Sequence, residues 1–315
     1  MQLEGTHVAV LGLGTMGHGI AQTMAVAGCR VCAFDQSLEA RSNVVRRVKA
    51  NLLQMVEVGI VADNAVDEIL ERITVCDTEQ AATLDAEFVT EAVSEDLVVK
   101  QELFERLESQ VGDDTLLASN TSSYPMTDIA ARMRLPRRAI VTHWFNPPHI
   151  VPVVEVVPGE QTSEDTTQTA CDLLERMGKM PVRLNQEIPG FLVNRVQNAM
   201  FREIWDLLDR GIATADQIDV AIRGSMGLRL AALGPLAIID FAGWDITTRV
   251  FKNLIPHMRC DGELPERVAG LVRDGHYGVK TGQGVFDYPG DAAPRQIADR
   301  DRRFLELVKL LRRFE

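Results

Sequence analysis

The sequence predicts an α/β protein in two parts: an N-terminal doubly wound parallel sheet over residues 1–187, then a smaller all-helical domain over residues 188–315. Three observations carry this. Short apolar runs rich in β-branched residues alternate with helical periods as far as Leu184, the pattern of a parallel sheet covered on both faces. The first run, His7-Val8-Ala9-Val10-Leu11, passes at once into Gly12-Leu13-Gly14-Thr15-Met16-Gly17 and a helical pattern at Ile20, Ala21, Met24 and Ala25. Beyond Ile188-Pro189-Gly190 the periodicity is helical only.

In chain order, a second strand, Val31-Cys32-Ala33-Phe34, ends at Asp35. Residues 38–59 read as one long helix, 64–72 as another, and Ile73-Thr74-Val75 as a short strand. A helical stretch at 81–84 precedes a strand over 85–92. Ser94 is the expected N-cap of a helix to Gln110, with Leu97, Leu103, Phe104 and Leu107 on its apolar side. Strands follow at 116–119, 140–145 and 151–157, then a helix over 163–177 and a strand at 181–184. In the second part, residues 191–210 carry a stripe at Val193, Val196, Met200, Ile204 and Leu207, closed by Gly211. Thr214-Ala215-Asp216-Gln217 reads as a capping box, and further helices fall near 234–255, 264–274 and 294–314.

The glycine turn has the form of a Rossmann-type dinucleotide site. Gly12 would allow the tight turn, Gly14 would let the backbone approach a pyrophosphate, and Gly17 would let the helix sit close to the strand. The helix N-terminus offers unpaired N–H groups and a positive dipole end. Eighteen residues past Gly17, Asp35 would accept hydrogen bonds from a ribose 2′-hydroxyl, and its charge would repel a 2′-phosphate. The expected cofactor is NAD rather than NADP. Glycines also mark ordinary turns; the strand before, the helix after and the spaced Asp separate the two readings.

Composition narrows the class. The 315 residues are 46% hydrophobic and 25% charged, with a formal net charge of −12 and no extended basic stripe, which argues against a nucleic-acid partner. No apolar run approaches the ~20 residues of a membrane span, and the first residues lack a signal-peptide pattern, so a cytoplasmic enzyme is expected. Five scattered cysteines argue against a disulfide framework. Cys29-Arg30-Val31-Cys32 has no second pair or nearby His to complete a metal set, so no metal is expected.

Nicotinamide chemistry on an alcohol needs a base and something to tune it. His143 ends a strand, where reactants of such sheets bind, and Glu155 lies twelve residues on in the next strand. A turn through 146–150 could bring the two side by side; the same spacing also suits two unrelated residues. Ser119-Asn120-Thr121-Ser122-Ser123 either holds a substrate oxygen or the nicotinamide carboxamide, or caps the helix after Pro125. Asn194, early in an apolar helix, is either aimed across an interdomain cleft or faces solvent.

At these residues the chain resembles the 3-hydroxyacyl-CoA dehydrogenase family along essentially its full length. The matching segments are 12–17, Glu91-Ala92-Val93-Ser94-Glu95-Asp96-Leu97, 119–123, and His143-Trp144-Phe145-Asn146-Pro147-Pro148. Val154-Glu155-Val156-Val157, Pro189-Gly190-Phe191-Leu192-Val193-Asn194-Arg195, Gly234-Pro235 and 280–284 complete the set. The resemblance implies NAD-dependent oxidation of the 3-hydroxyl of an L-3-hydroxyacyl-CoA or related 3-hydroxy acid to the 3-oxo product, with His143 the base, Glu155 its partner, and Ser122 and Asn194 contacting the substrate oxygen and the nicotinamide end. It further implies that Gly12, Gly14, Thr15, Met16, Gly17 and Asp35, with Glu95, Lys100 and Asn146, hold NAD. A homodimer through the helical domain, and for CoA substrates a place in fatty acid metabolism, are implied as well.

The chain departs from the CoA-dependent pattern where fatty-acid enzymes carry a lysine-rich segment, since residues 53–64 contain no lysine or arginine. Residues 146–152 and 227–235 look closer to free-acid branches such as L-gulonate 3-dehydrogenase, L-carnitine dehydrogenase and the pyridine-carboxylate dehydrogenase of vitamin B6 breakdown. For an aromatic hydroxymethyl or aldehyde acid, Arg229 is the expected carboxylate partner. A rival of another class is an idle NAD-binding structural protein, as among lens crystallins related to this family.

Overall fold

The computed structural model describes residues 3–290 and 292–312. Met1 and Gln2 of the N-terminal stretch, and residues 313–314 of the expected last helix, lie outside the described residues. The chain divides into two compact units, Met1–Asn194 with Asp301–Lys309, and Arg195–Arg300 with Leu310–Glu315.

The first unit is a sheet of eight strands. These are β1 (His7–Leu11), β2 (Arg30–Phe34), β3 (Ile73–Val75), β4 (Phe88–Glu91), β5 (Leu116–Ser119), β6 (Ala139–Trp144), β7 (Val153–Pro158) and β8 (Met180–Arg183). Their order is β3-β2-β1-β4-β5-β6-β7-β8, and all neighbours are parallel except β6 and β7. The chain reverses direction of travel between β1 and β4, so the crevice at their carboxyl ends is the topological switch point where ligands of such sheets bind. Alternate residues of β1 serve the two faces: Val8 and Val10 join one apolar cluster, Ala9 and Leu11 the other. Helices α1 (Gly17–Val26), α2 (Leu38–Glu57) and α3 (Val66–Glu71) cover the first face through Ile20, Met24, Val44, Val48, Leu52 and Ile69. After the short α4 (Glu79–Thr83), helices α5 (Leu97–Gln110) and α6 (Met126–Ile129) cover the second through Leu103, Phe104, Leu107, Met126 and Ile129. Helix α7 (Glu164–Arg176) returns to the first face through Ala170 and Leu174. The doubly wound sheet expected from the sequence is present.

Two expected helix starts move. Asp96, not Ser94, caps α5, accepting the Val99 N–H at 3.0 Å. Glu95 is engaged by the Thr121 and Ser123 hydroxyls, which holds the chain at 94–96 out of the helix. Helix α8 runs over Val193–Asp209 rather than from residue 191, because Phe191 stands at φ 49° with its ring buried in the sheet unit.

The second unit holds the rest of α8, then α9 (Ala215–Ile222), α10 (Leu228–Ala232), α11 (Pro235–Ala242), α12 (Trp244–Leu254), α13 (Glu266–Arg273) and part of α14 (Ala292–Leu311). The Thr214–Gln217 capping box forms as read. The single helix expected over 234–255 is two, broken at Gly243 with φ 90°. The middle of α14 belongs to the first unit. There Leu305 is buried and Lys309 donates to the Val58 carbonyl at 2.7 Å, contacts between positions too distant in sequence for a local pattern to reveal.

Candidate active site

Strand pairing places His143 of β6 directly opposite Glu155 of β7. Their side chains meet, His143 Nδ1 to Glu155 Oε2, at 2.7 Å. Glu155 is wholly buried and His143 is 5% exposed, so the pair sits in low dielectric where a hydrogen-bonded carboxylate orients its partner strongly. The second carboxylate oxygen, Oε1, accepts the Leu192 and Val193 N–H groups at 3.0 and 2.8 Å, which are orphan donors at the start of α8. The carboxylate can only accept, so Nδ1 is the ring nitrogen that donates to it and Nε2 is the one left for other partners. The rings of Phe145 and Phe191 lie 4.6 and 5.5 Å from the imidazole.

A second network ties two loops at the carboxyl ends of β4 and β5. Glu91, fully buried, accepts the Val93 N–H at 2.7 Å, Lys100 Nζ at 2.7 Å and the Ser119 hydroxyl at 2.6 Å. Lys100 Nζ also lies 3.3 Å from Glu95, and Glu95 accepts from Thr121, Ser123 and the Ser122 N–H. Burial pushes the Glu95 carboxyl up, but those hydrogen bonds and the Lys100 charge outweigh it and hold it below the usual range. The Ser122 carbonyl in turn faces Asn194 Nδ2 at 3.5 Å. The structure therefore brings Ser122, Asn194, Glu95 and Lys100 into one chain of contacts. Lys100 is buried, its ammonium between Glu91 at 2.7 Å and Glu95 at 3.3 Å. Glu91 and Phe191 stand in the matching segments, but sequence reasoning assigned neither a role of its own; for Glu91, a Glu ending an otherwise apolar buried strand was the available signal.

The glycine loop is set by contacts on both sides. A Cβ on Gly12, at φ 92°, would overlap the Ala92 carbonyl, and one on Gly17 would overlap the Gly12 carbonyl. At Gly14 a Cβ would meet no protein atom within 4 Å. The protein leaves that space open, which is what the close approach of a pyrophosphate requires. Asp35 Oδ2 accepts the Leu13 N–H at 2.6 Å and Oδ1 the Ser37 N–H at 2.7 Å, and each oxygen retains a lone pair for a ribose hydroxyl. Thr15 is exposed beside Gly14, and Met16 precedes the first turn of α1. These residues fit a dinucleotide.

Asn146 is exposed at the end of β6, joined to Pro147 by a cis peptide. Arg229 belongs to the second unit, where it bonds Ser225 of the preceding turn at 3.4 Å. Among the described residues, no cluster of three or more His, Cys, Asp or Glu is placed to hold a metal ion, and no single helix is long and apolar enough to cross a membrane.

A sheet whose first strand ends in this loop, with an Asp just past β2, defines a dinucleotide-binding protein of the NAD type. Residues 7–188 match the family model "3-hydroxyacyl-CoA dehydrogenase, NAD binding domain", and residues 190–288 match "3-hydroxyacyl-CoA dehydrogenase, C-terminal domain". The chain belongs to the 3-hydroxyacyl-CoA dehydrogenase family. It is 32% identical to the 5-formyl-3-hydroxy-2-methylpyridine 4-carboxylate 5-dehydrogenase of Mesorhizobium japonicum, over 97% of this chain and 98% of that one. It is 37% identical to an L-carnitine dehydrogenase of Streptomyces coelicolor, over 96% and 93%. Among solved structures, one of a 5-formyl-3-hydroxy-2-methylpyridine 4-carboxylic acid 5-dehydrogenase, described as an NAD+ dependent dismutase, superposes with a TM-score of 0.91. That likeness has 31% identity and covers 97% of this chain and 98% of the other.

Proposed function

We propose that the enzyme oxidises the hydroxyl of a 3-hydroxy acid to the 3-oxo product, using a free acid in preference to its CoA thioester, with His143 as general base. The observation that carries this reading is the buried His143–Glu155 contact of 2.7 Å. Glu155, spending Oε1 on two backbone N–H groups, holds the proton on Nδ1 and presents the Nε2 lone pair of His143 to a substrate hydroxyl. Nε2 takes the hydroxyl proton, and the Glu155 charge stabilises the imidazolium; such acid–base help contributes typically ~10²–10⁴-fold. NAD, when bound, supplies the hydride acceptor. The Phe145 and Phe191 rings limit water around the imidazole, and Ser122 and Asn194 hold the substrate oxygen and the nicotinamide end.

The preference for a free acid is supported by the lack of lysine and arginine over residues 53–64. Similarity by itself is even-handed, the chain being 36% identical to a probable 3-hydroxybutyryl-CoA dehydrogenase of Bacillus subtilis as well as similar to the L-carnitine and pyridine-carboxylate enzymes. The latter similarity favours a second reading, oxidation of a pyridine alcohol or aldehyde carboxylate with Arg229 as carboxylate partner. The same proposal makes the protein a cytoplasmic homodimer. Among the described residues of the second unit, Ile218 is the one buried hydrophobic side chain, while Leu228, Leu236, Phe241 and Trp244 are exposed. A helical unit with so much uncovered apolar surface suits a second copy of the chain.

Steady-state NADH formation on 3-hydroxybutyryl-CoA, free 3-hydroxybutyrate, L-gulonate, L-carnitine and pyridine alcohols tests the substrate, with one of the free acids expected to lead. A CoA ester turned over far faster than any acid overturns that preference. A protein that binds NADH but is inert on the whole panel restores the crystallin-like alternative. Near-wild-type turnover by His143→Ala sinks the assignment of the base, and a monomeric mass by light scattering sinks the dimer.

A further inference from the structure

We propose that Arg47 and His18 form a positioning pair that sets the phosphate-binding face of the glycine loop, and that Arg47 thereby governs affinity for the pyrophosphate of the cofactor. This rests on NAD binding itself and is independent of the catalytic assignment above.

A loop that grips an anion with N–H groups must turn its carbonyl oxygens elsewhere, and those oxygens then need donors of their own. In this chain the donors come from the middle of α2. Arg47 Nη1 donates to the Leu13 carbonyl at 3.0 Å and to the Gly14 carbonyl at 3.2 Å. Its Nη2 reaches His18 Nε2 at 3.5 Å, and His18 Nδ1 lies 2.9 Å from the same Gly14 oxygen. A guanidinium only donates, so Nε2 of His18 must accept; the imidazole proton then sits on Nδ1 and points at Gly14. Burial, reinforced by the Arg47 charge and opposed by the Gly14 bond, brings the His18 pKa down to about 4 and keeps the ring neutral in this role.

Leu13 is held on both sides, its N–H by Asp35 at 2.6 Å and its carbonyl, in the next peptide unit, by Arg47 at 3.0 Å. Arg47 also satisfies the Leu13 and Gly14 carbonyls and brings a positive charge to the glycine loop that precedes α1. A neutral side chain of similar length would fill the space without either effect.

The test is fluorescence titration of the full-length protein with NADH, with ADP and adenosine as competitors, and the thermal shift produced by NADH as a second readout. Arg47→Met is expected to weaken NADH and ADP together by roughly tenfold, the scale of a lost charge-assisted hydrogen bond, and to leave adenosine unchanged. Arg47→Lys, which keeps the charge and one donor position, is expected to recover part of the loss. His18→Gln can still donate to Gly14 and accept from Arg47, so it is expected to bind NADH far better than His18→Leu. Wild-type affinity for NADH and ADP in Arg47→Met overturns the proposal. So does an equal loss for ADP and adenosine, which would mark general damage to the site. If Arg47→Met does not fold, the comparison falls to Arg47→Lys and the two His18 variants, and indistinguishable NADH affinities among them overturn it equally.

Discussion

Replacing Glu155 by Gln probes the proposed base with almost no change of shape. The carboxylate is wholly buried, Oε1 accepts the Leu192 and Val193 N–H groups at 3.0 and 2.8 Å, and Oε2 accepts His143 Nδ1 at 2.7 Å. A glutamine has one oxygen, and it must stay on the two backbone donors, since its NH₂ there would face N–H groups. The NH₂ is thereby turned toward Nδ1, which must accept, and the imidazole proton moves to Nε2. That is the atom that needs a lone pair to take the hydroxyl proton. The expected loss in kcat is the general-base contribution, ~10²–10⁴-fold, and a thousandfold loss corresponds to about 4 kcal/mol of barrier. The assay is NADH formation at saturating NAD+ and substrate, paired with NADH titration to show that the cofactor half is intact. If Glu155→Gln binds NADH normally and retains kcat to within about threefold, the tautomer argument is refuted, because no general base of ordinary strength contributes so little.

Gly12→Ala should be damaging, since φ is 92° and the new methyl overlaps the Ala92 carbonyl; a cost of roughly 1–3 kcal/mol or more is expected as a lower midpoint of denaturation. Gly14→Ala meets open space, so its denaturation midpoint should stay near wild type while NADH affinity falls, a contrast that calorimetry and titration together can read. Lys100→Met leaves Glu91 buried without its cation, and breaking such a pair costs on the order of 3–5 kcal/mol; adding Glu91→Gln should recover part of it in chemical denaturation. His18 titrates near 4 in the fold against 6.5 when free, so the unfolded chain takes up the proton first as pH falls. Stability should therefore decline between about pH 6.5 and 4, by on the order of 3 kcal/mol, and His18→Gln should remove that part of the slope in denaturation curves taken across the window.

The features legible in the sequence are those in which cause and effect lie within a few residues. The run from His7 through Gly17 into α1 needs only a β-branched strand, glycines where a Cβ would strike a carbonyl, and an apolar helix. The Thr214–Gln217 box is likewise one turn of chain. Asp35 announced itself by its distance from the loop, and the structure adds that its carboxylate already holds Leu13. His143 and Glu155 were legible as residue types at strand ends, but whether they met depended on the antiparallel turn between β6 and β7.

Sequence by itself determined the parallel nucleotide-binding sheet, the helical second part and the family, because periodicity, glycine spacing and ordered motifs are properties of the linear chain. Only the tertiary structure decided that α8 begins at Val193, that Glu91 and Lys100 are buried together, and that Arg47 reaches back to the glycine loop. Each of those depends on a charge finding its partner across the fold, Glu155 on the N–H groups of residues 192 and 193, Arg47 on the carbonyl of Leu13. A buried charge is tolerated only where such partners converge, and convergence is a property of packing that no local pattern records.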